Sequence, residues 1–221
     1  MFSINKWRDG ELWSNWSGKE NARPNEYVLP KSIEDIQKTI KKAISLKQTI
    51  RVTGAGHSFS PVAKPEQIAM SLHEMRGLIS LNREKEEATF YAGTYLHEIG
   101  PILEAYHFAL SNMGDIQEQT LAGVISTGTH GTGITLGSFS SMVVKWGFVN
   151  GLGDYIEHER GNDDLSKALH VSLGLLGILV TVTIKIVPIY NLRYIAKKEN
   201  LLESIPSFAE SIREHRHVEW Y

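Results

Sequence analysis

Two glycine-punctuated runs hold the groups best able to meet an anion. The first is Arg51-Val-Thr53-Gly54-Ala55-Gly56-His57-Ser58-Phe59-Ser60-Pro61. Without Cβ atoms, its glycines let backbone N–H groups come close to an anion. Ser58 and Ser60 add hydroxyl donors, and His57 sits inside the turn. A dinucleotide fingerprint would need its third glycine at Phe59, and Pro61 stands where the next helix should begin, so that pattern fails. The residues alone leave two readings open: an anion-binding turn, and a tight strand exit that meets no ligand.

The second run is Gln119-Thr120-Leu-Ala-Gly123-Val-Ile-Ser126-Thr127-Gly128-Thr129-His130-Gly131-Thr-Gly133. A phosphate-binding P-loop needs Lys after Gly128, and Thr129 stands there. Phosphate binding would then rest on backbone N–H groups and helix dipoles. The other reading is a small-residue region where helices pack close to strands. A third segment, Gly174-Leu-Leu-Gly177-Ile178, reads as a loop between helix and strand. Nine histidines include no H-E-x-x-H, and His215-x-His217 has no third ligand nearby, so no metal site is expected. The absence of cysteine excludes disulfides, thiol catalysis and iron–sulfur clusters.

These runs must be carried by a folded domain. The chain has 221 residues with 23 basic and 25 acidic side chains, net −2, so it lacks the basic footprint of a nucleic-acid partner. Of its 19 glycines, Gly114, Gly123, Gly128, Gly131, Gly133 and Gly137 crowd into one stretch. Residues 119–144 are uncharged, but 14 of the 26 are Gly, Ser or Thr, which excludes a membrane span. Met1–Gly10 lacks the apolar core of a secretory signal, and Asn15-Trp16-Ser17 is read as a chance glycosylation match. A cytoplasmic location is expected, with peripheral membrane association left open.

Ser32 and Asp35 form a capping-box pattern ahead of Ile33, Ile36, Ile40, Ala43 and Ile44 at helical spacing. Strands are expected at 48–53, 67–72, 87–92, 143–150 and 178–187, the last ended by Pro188. Helices are expected from Leu96 to Phe108, from Asp164 to Val171 with an aspartate cap, and over 198–215. Pro101 is placed near the first turn of its helix. His217–Tyr221 reads as the beginning of a strand.

Taken together, these residues resemble the FAD-linked oxidases of the vanillyl-alcohol oxidase type, with a PCMH-type FAD-binding domain. Within them the chain is most similar to the sugar-1,4-lactone (L-gulono- and D-arabinono-) and alditol oxidase branch. The motifs are Trp13-Ser-Asn15-Trp16, Pro24-x-x-Tyr27-x-x-Pro30-x-Ser32, Gly54-x-Gly56-His57-Ser58, and the long run from Asn112 through Gly114-Asp115-Ile116 to Gly131. The match runs from about Trp13 to Tyr190 and continues faintly to Tyr221.

The resemblance implies an α+β fold: an N-terminal extension (1–22), FAD-binding subdomains at 23–80 and 81–190, and the start of a cap domain at 191–221. It implies FAD as cofactor, with the turn Thr53, Gly54, Ala55, Gly56, His57, Ser58 around the pyrophosphate. His57 matches the histidine that the family joins to the flavin 8α-methyl, a bond expected to raise the flavin potential. Thr120, Gly123, Ser126 and Thr127 would line flavin and diphosphate, and Ile178 would meet the adenine through its backbone. Gly114, Asp115 and His130 belong to the same implied cofactor set. Gly114, beside the flavin ring, would leave room for dioxygen.

The implied function is oxidation of a sugar lactone or polyol by hydride transfer to flavin N5, with reoxidation by dioxygen to hydrogen peroxide. Family members continue into a substrate-binding cap, so the catalytic groups are expected beyond Tyr221. The alternative is a non-catalytic FAD-binding fragment. A related cell-wall reductase with non-covalent FAD is disfavoured by His57 and the Thr127-Gly-Thr-His130 run.

Overall fold

The computed structural model describes residues 10–221. The reading of the first nine residues lies outside the described residues. Among the described residues, twelve strands and five α-helices follow in chain order. A short antiparallel hairpin, β1 (Trp13–Ser14) and β2 (Asn21–Ala22), comes first. Next come β3 (Glu26–Val28), α1 (Ile33–Leu46), β4 (Ile50–Val52) and β5 (Ile68–Met70). These strands form a parallel sheet in the order β3-β5-β4. Central β5 is covered on both faces, with Ile68, Ala69 and Met70 all at 0% exposure, as parallel strands require.

Helix α1 forms because Ser32 accepts the Asp35 N–H at 3.2 Å, while Lys31 N donates to the Asp35 carboxylate at 3.1 Å. Its buried side is Ile36, Thr39, Ile40 and Ala43. It ends at Lys47, which takes the left-handed conformation (φ 54°).

The rest of the chain supplies β6 (Leu78–Asn82), β7 (Glu87–Tyr91), α2 (Leu96–Glu104), β8 (Phe108–Ala109), α3 (Leu121–Ser126), β9 (Val143–Val149) and β10 (Tyr155–Glu159). It continues with α4 (Asp164–His170), β11 (Ile178–Lys185), β12 (Val187–Pro188) and α5 (Leu201–Glu214). An antiparallel sheet runs β10-β9-β11-β7-β6. Strand β11 sits in the middle with Val180, Val182 and Ile184 turned into the core, and Thr181 and Thr183 on the other face. Trp146, Phe90, Leu96, Ile99, Leu121 and Ile125 complete that core.

Four expectations need correction. The second helix stops at Glu104 rather than Phe108, because His107 adopts φ 64° and Phe108–Ala109 turn away to pair with Val187–Pro188. Pro101 lies in the second turn of that helix, not the first. Helix α5 begins at Leu201, where Asn200 caps it. His217–Tyr221 is not a strand: Trp220 packs on Phe208 at 4.4 Å, and His217 Nδ1 lies 3.0 Å from Thr132 Oγ1. Among the described residues no helix is long and apolar enough to cross a membrane.

Candidate functional site

The carboxyl ends of β4 and β5 open onto a cleft of about 350 Å³ between the parallel and antiparallel sheets. In open parallel sheets, ligands bind outside the carboxyl ends of the strands, where connections that leave in opposite directions open a crevice. Thr53 follows β4, with its N–H bonded to Met70 O at 2.8 Å. The turn from Thr53 through Gly54, Ala55, Gly56 and His57 to Ser58 forms one wall.

Thr120, Gly123, Ser126 and Thr127 form the facing wall. The two walls touch: a Cβ on Gly54 would lie 2.6 Å from Thr120 Oγ1, so this close approach needs glycine. Thr120 Oγ1 in turn accepts the Gly123 N–H at 3.3 Å and caps α3. The two glycine runs singled out in the sequence therefore meet at one place. The third wall comes from the β9–β10 turn (Asn150, Gly151) and the approach to β11 (Gly174, Leu175, Gly177, Ile178). The apolar side of α1 (Ile40, Ala43, Ile44) closes the floor.

Most of the residues expected at a cofactor site line this cleft. Gly114, Asp115 and His130 do not. They lie on a neighbouring loop pair, where a Cβ on Gly114 would stand 3.2 Å from His130 O. Enlarging Gly114 thus presses on the His130 backbone. Sequence reasoning missed Gly93, Tyr95, Gln119 and the Ser71-Leu72-His73 segment. It read Gly174–Gly177 as a connecting loop. Its one detectable signal was the pair of glycines immediately before the most β-branched strand.

The electrostatics mark two imidazoles. Burial lowers the pKa of His57, and the nearby Glu118 opposes this. Burial, then the Arg76 guanidinium, lowers that of His73. Tyr95 stands between His73 (6.2 Å, edge-on) and His97 (5.3 Å, stacked), with Arg76 5.7 Å over its ring. Burial raises the Tyr95 pKa, keeping the phenol neutral.

Two buried polar atoms of the cleft, Thr53 Oγ1 and His73 Nδ1, have no hydrogen-bond partner among the described residues. Such atoms are costly, at about 1–3 kcal/mol each, unless a ligand supplies the partner. Thr53 is 1% exposed. Thr53→Val keeps its shape and removes the unpaired hydroxyl. The ligand-free chain should gain about 1 kcal/mol in denaturant unfolding, while affinity for a polar ligand in the cleft should fall about tenfold. Unchanged affinity would remove Thr53 from the site.

The geometry agrees with what the chain is similar to. Residues 24–158 match the family described as FAD binding domain. A D-arabinono-1,4-lactone oxidase of Kluyveromyces lactis is 35% identical over 191 residues, covering 84% of this chain and 36% of that protein. An L-gulonolactone oxidase of Mus musculus is 32% identical, covering 83% of this chain and 42% of that protein. An L-gulono-1,4-lactone dehydrogenase of Mycobacterium tuberculosis is 28% identical, covering 95% and 49%. The chain thus spans between about a third and a half of these relatives. A solved alkyldihydroxyacetonephosphate synthase shares the fold at TM-score 0.69 and 20% identity, over 77% of this chain and 33% of that one.

Proposed function

Because the chain belongs to the FAD-binding domain family, we propose that it forms the FAD-holding part of a flavin-dependent oxidoreductase acting on a sugar lactone or polyol. The observation that carries this reading is the meeting of the two glycine runs at Gly54 and Thr120, in a cleft that also holds Thr53 Oγ1 and His73 Nδ1, which have no hydrogen-bond partner among the described residues. A ligand with many acceptors and a polar ring edge fits such a cleft. Bound there, FAD would supply the two-electron chemistry, taking hydride from a substrate C–H.

The backbone of Gly54–Ser58 would hold the diphosphate, with Thr53 and Thr120 contributing hydroxyls. His57 would be the residue joined to the cofactor. Burial lowers its pKa and so favours the neutral imidazole that such a bond requires. His73 meets a polar atom of the same ligand through Nδ1. The two sheets suggest a boundary between the subdomains just ahead of Leu78, where β6 begins.

The sugar-1,4-lactone substrate and the choice of dioxygen as acceptor rest on the relatives, whose names include both oxidase and dehydrogenase. The test is anaerobic mixing of the flavin-loaded chain with 1,4-lactones and alditols. Bleaching of the yellow absorption would show that the chain carries out the oxidation unaided, and recovery on admitting air would mark dioxygen as acceptor. No bleaching with any of these compounds contradicts the assigned activity and leaves the second reading, a flavin-binding unit that needs further protein for turnover. The exposed apolar side chains of the C-terminal segment favour that reading: Leu192, Tyr194, Leu201 and Leu202 are each more than 60% exposed.

A further inference from the structure

The β1–β2 hairpin belongs to neither large sheet, yet it grips the His57 turn from both sides. Trp16 N donates to Gly56 O at 2.8 Å, and Asn15 Nδ2 donates to Ser58 O at 2.9 Å. Asn15 is only 4% exposed, and its Oδ1 accepts the Glu20 N–H at 3.1 Å, which closes the hairpin on itself. A Glu20–Lys64 ion pair at 3.0 Å ties the hairpin to the segment beyond the turn. Between the two gripping bonds, the Trp16 indole lies on the His57 ring with centroids 5.6 Å apart and planes 23° apart. Phe59 abuts the same indole edge-on at 5.5 Å. Trp16 is nevertheless 49% exposed, so burial of its own surface does not account for an indole at this place.

We propose that Trp16 is a positioning residue for His57: the stacked indole holds the imidazole plane in the orientation from which it is joined to the cofactor. The inference rests on the assignment of His57 made above. An unrestrained imidazole turns about two side-chain torsions, and the second of these is broad. Bond formation needs the attacking nitrogen aligned within about 10–20°. In that bond His57 gives up its N–H hydrogen as one hydrogen leaves the flavin methyl carbon. The N–C bond forms, and the two hydrogens with their two electrons pass to the ring system and then to dioxygen as hydrogen peroxide. An aromatic pair of this kind corresponds to about a threefold to tenfold change in rate.

The chain is produced without riboflavin, mixed with FAD in air, and precipitated in acid at intervals. Flavin in the pellet measures covalent attachment, and flavin retained before precipitation measures binding. Trp16→Ala should still bind FAD but attach it about threefold to tenfold more slowly. Trp16→Phe, which keeps a ring, should recover most of the rate, and Trp16→Leu, which keeps only bulk, should not. Attachment by Trp16→Ala at the wild-type rate overturns the inference. So do equal rates for the Phe and Leu variants, or loss of FAD binding in all three, which would make the indole a structural prop. A wild-type chain that attaches no flavin overturns the His57 assignment and this inference together.

Discussion

Acid precipitation of the His57→Ala chain is expected to leave all of its flavin in the supernatant, whereas the wild-type chain keeps flavin in the pellet. The difference should be all or none because, on the proposed assignment, one nitrogen makes the link. No cysteine is present to offer a second link. The cleft holds a second imidazole, His73, at the end of a different strand, so His73→Ala is the control. It should weaken FAD binding through the loss of Nδ1 and leave the pellet yellow. Retention of pellet flavin by His57→Ala, together with its loss in His73→Ala, would move the attachment to the other strand end.

The pH dependence follows from the same ring. Burial holds the His57 pKa below the ordinary histidine value of about 6.5, with Glu118 pulling the other way. The neutral, reactive form therefore predominates at and above pH 7. Attachment should be flat from pH 8 to 7 and should slow as acid protonates the ring below that ordinary value.

Gly177→Ala should severely damage the cleft wall. Gly177 has φ 142°, outside the range of ordinary side-chain-bearing residues. A Cβ there would collide with Val149 O and lie 3.0 Å from Val149 C and 3.1 Å from Asn150 Cα. These are backbone atoms of β9 and its turn, and they cannot swing aside. Ile178, the next residue, pairs with Val149, so the clash pries β11 from β9 at the mouth of the cleft. Strain and overpacking together should cost about 2–4 kcal/mol. For a chain of this length that lowers the thermal midpoint by roughly 5–15 °C. FAD binding should weaken with it, because Asn150 and Ile178 both line the cleft. Gly151→Ala is the control. It lines the same wall, has no positive φ, and its added Cβ meets nothing within 4 Å. Its stability should stay within about 0.5 kcal/mol of wild type. A similar loss in both variants would show that the wall is merely intolerant of change.

What the sequence made legible was what local chemistry dictates. Ser32 and Asp35 announced the start of α1, the Asp163-Asp164 pair that of α4 (Asp163 is the cap), and the β-branched run from Ile178 announced β11. The edge strands β6 and β10 were not legible. Their side chains are largely partly exposed or exposed, so neither carries an alternation strong enough to read. Helix α3 was hidden because its six residues include Gly123 and two β-branched side chains, poor helix formers held in place by the Thr120 cap and by burial of Leu121, Val124 and Ile125.

The candidate site followed the same division. Thr53–Ser58 and Thr120–Thr127 carried motifs, and residues of both runs line the cleft. Ser71, His73, Asn150 and Gly177 reach the cleft only because two sheets face each other there, and no spacing along the chain encodes that. Gly114, Asp115 and His130 share a contiguous motif with Thr120 but are not among the residues that line this cleft.

The central claim is that this chain holds FAD in the cleft between its two main sheets. The most direct measurement is the flavin retained when the purified wild-type chain is saturated with FAD and passed through gel filtration. The account predicts one FAD per chain travelling with the protein. A chain that emerges colourless, with no saturable change in flavin absorption at any FAD concentration, would contradict it.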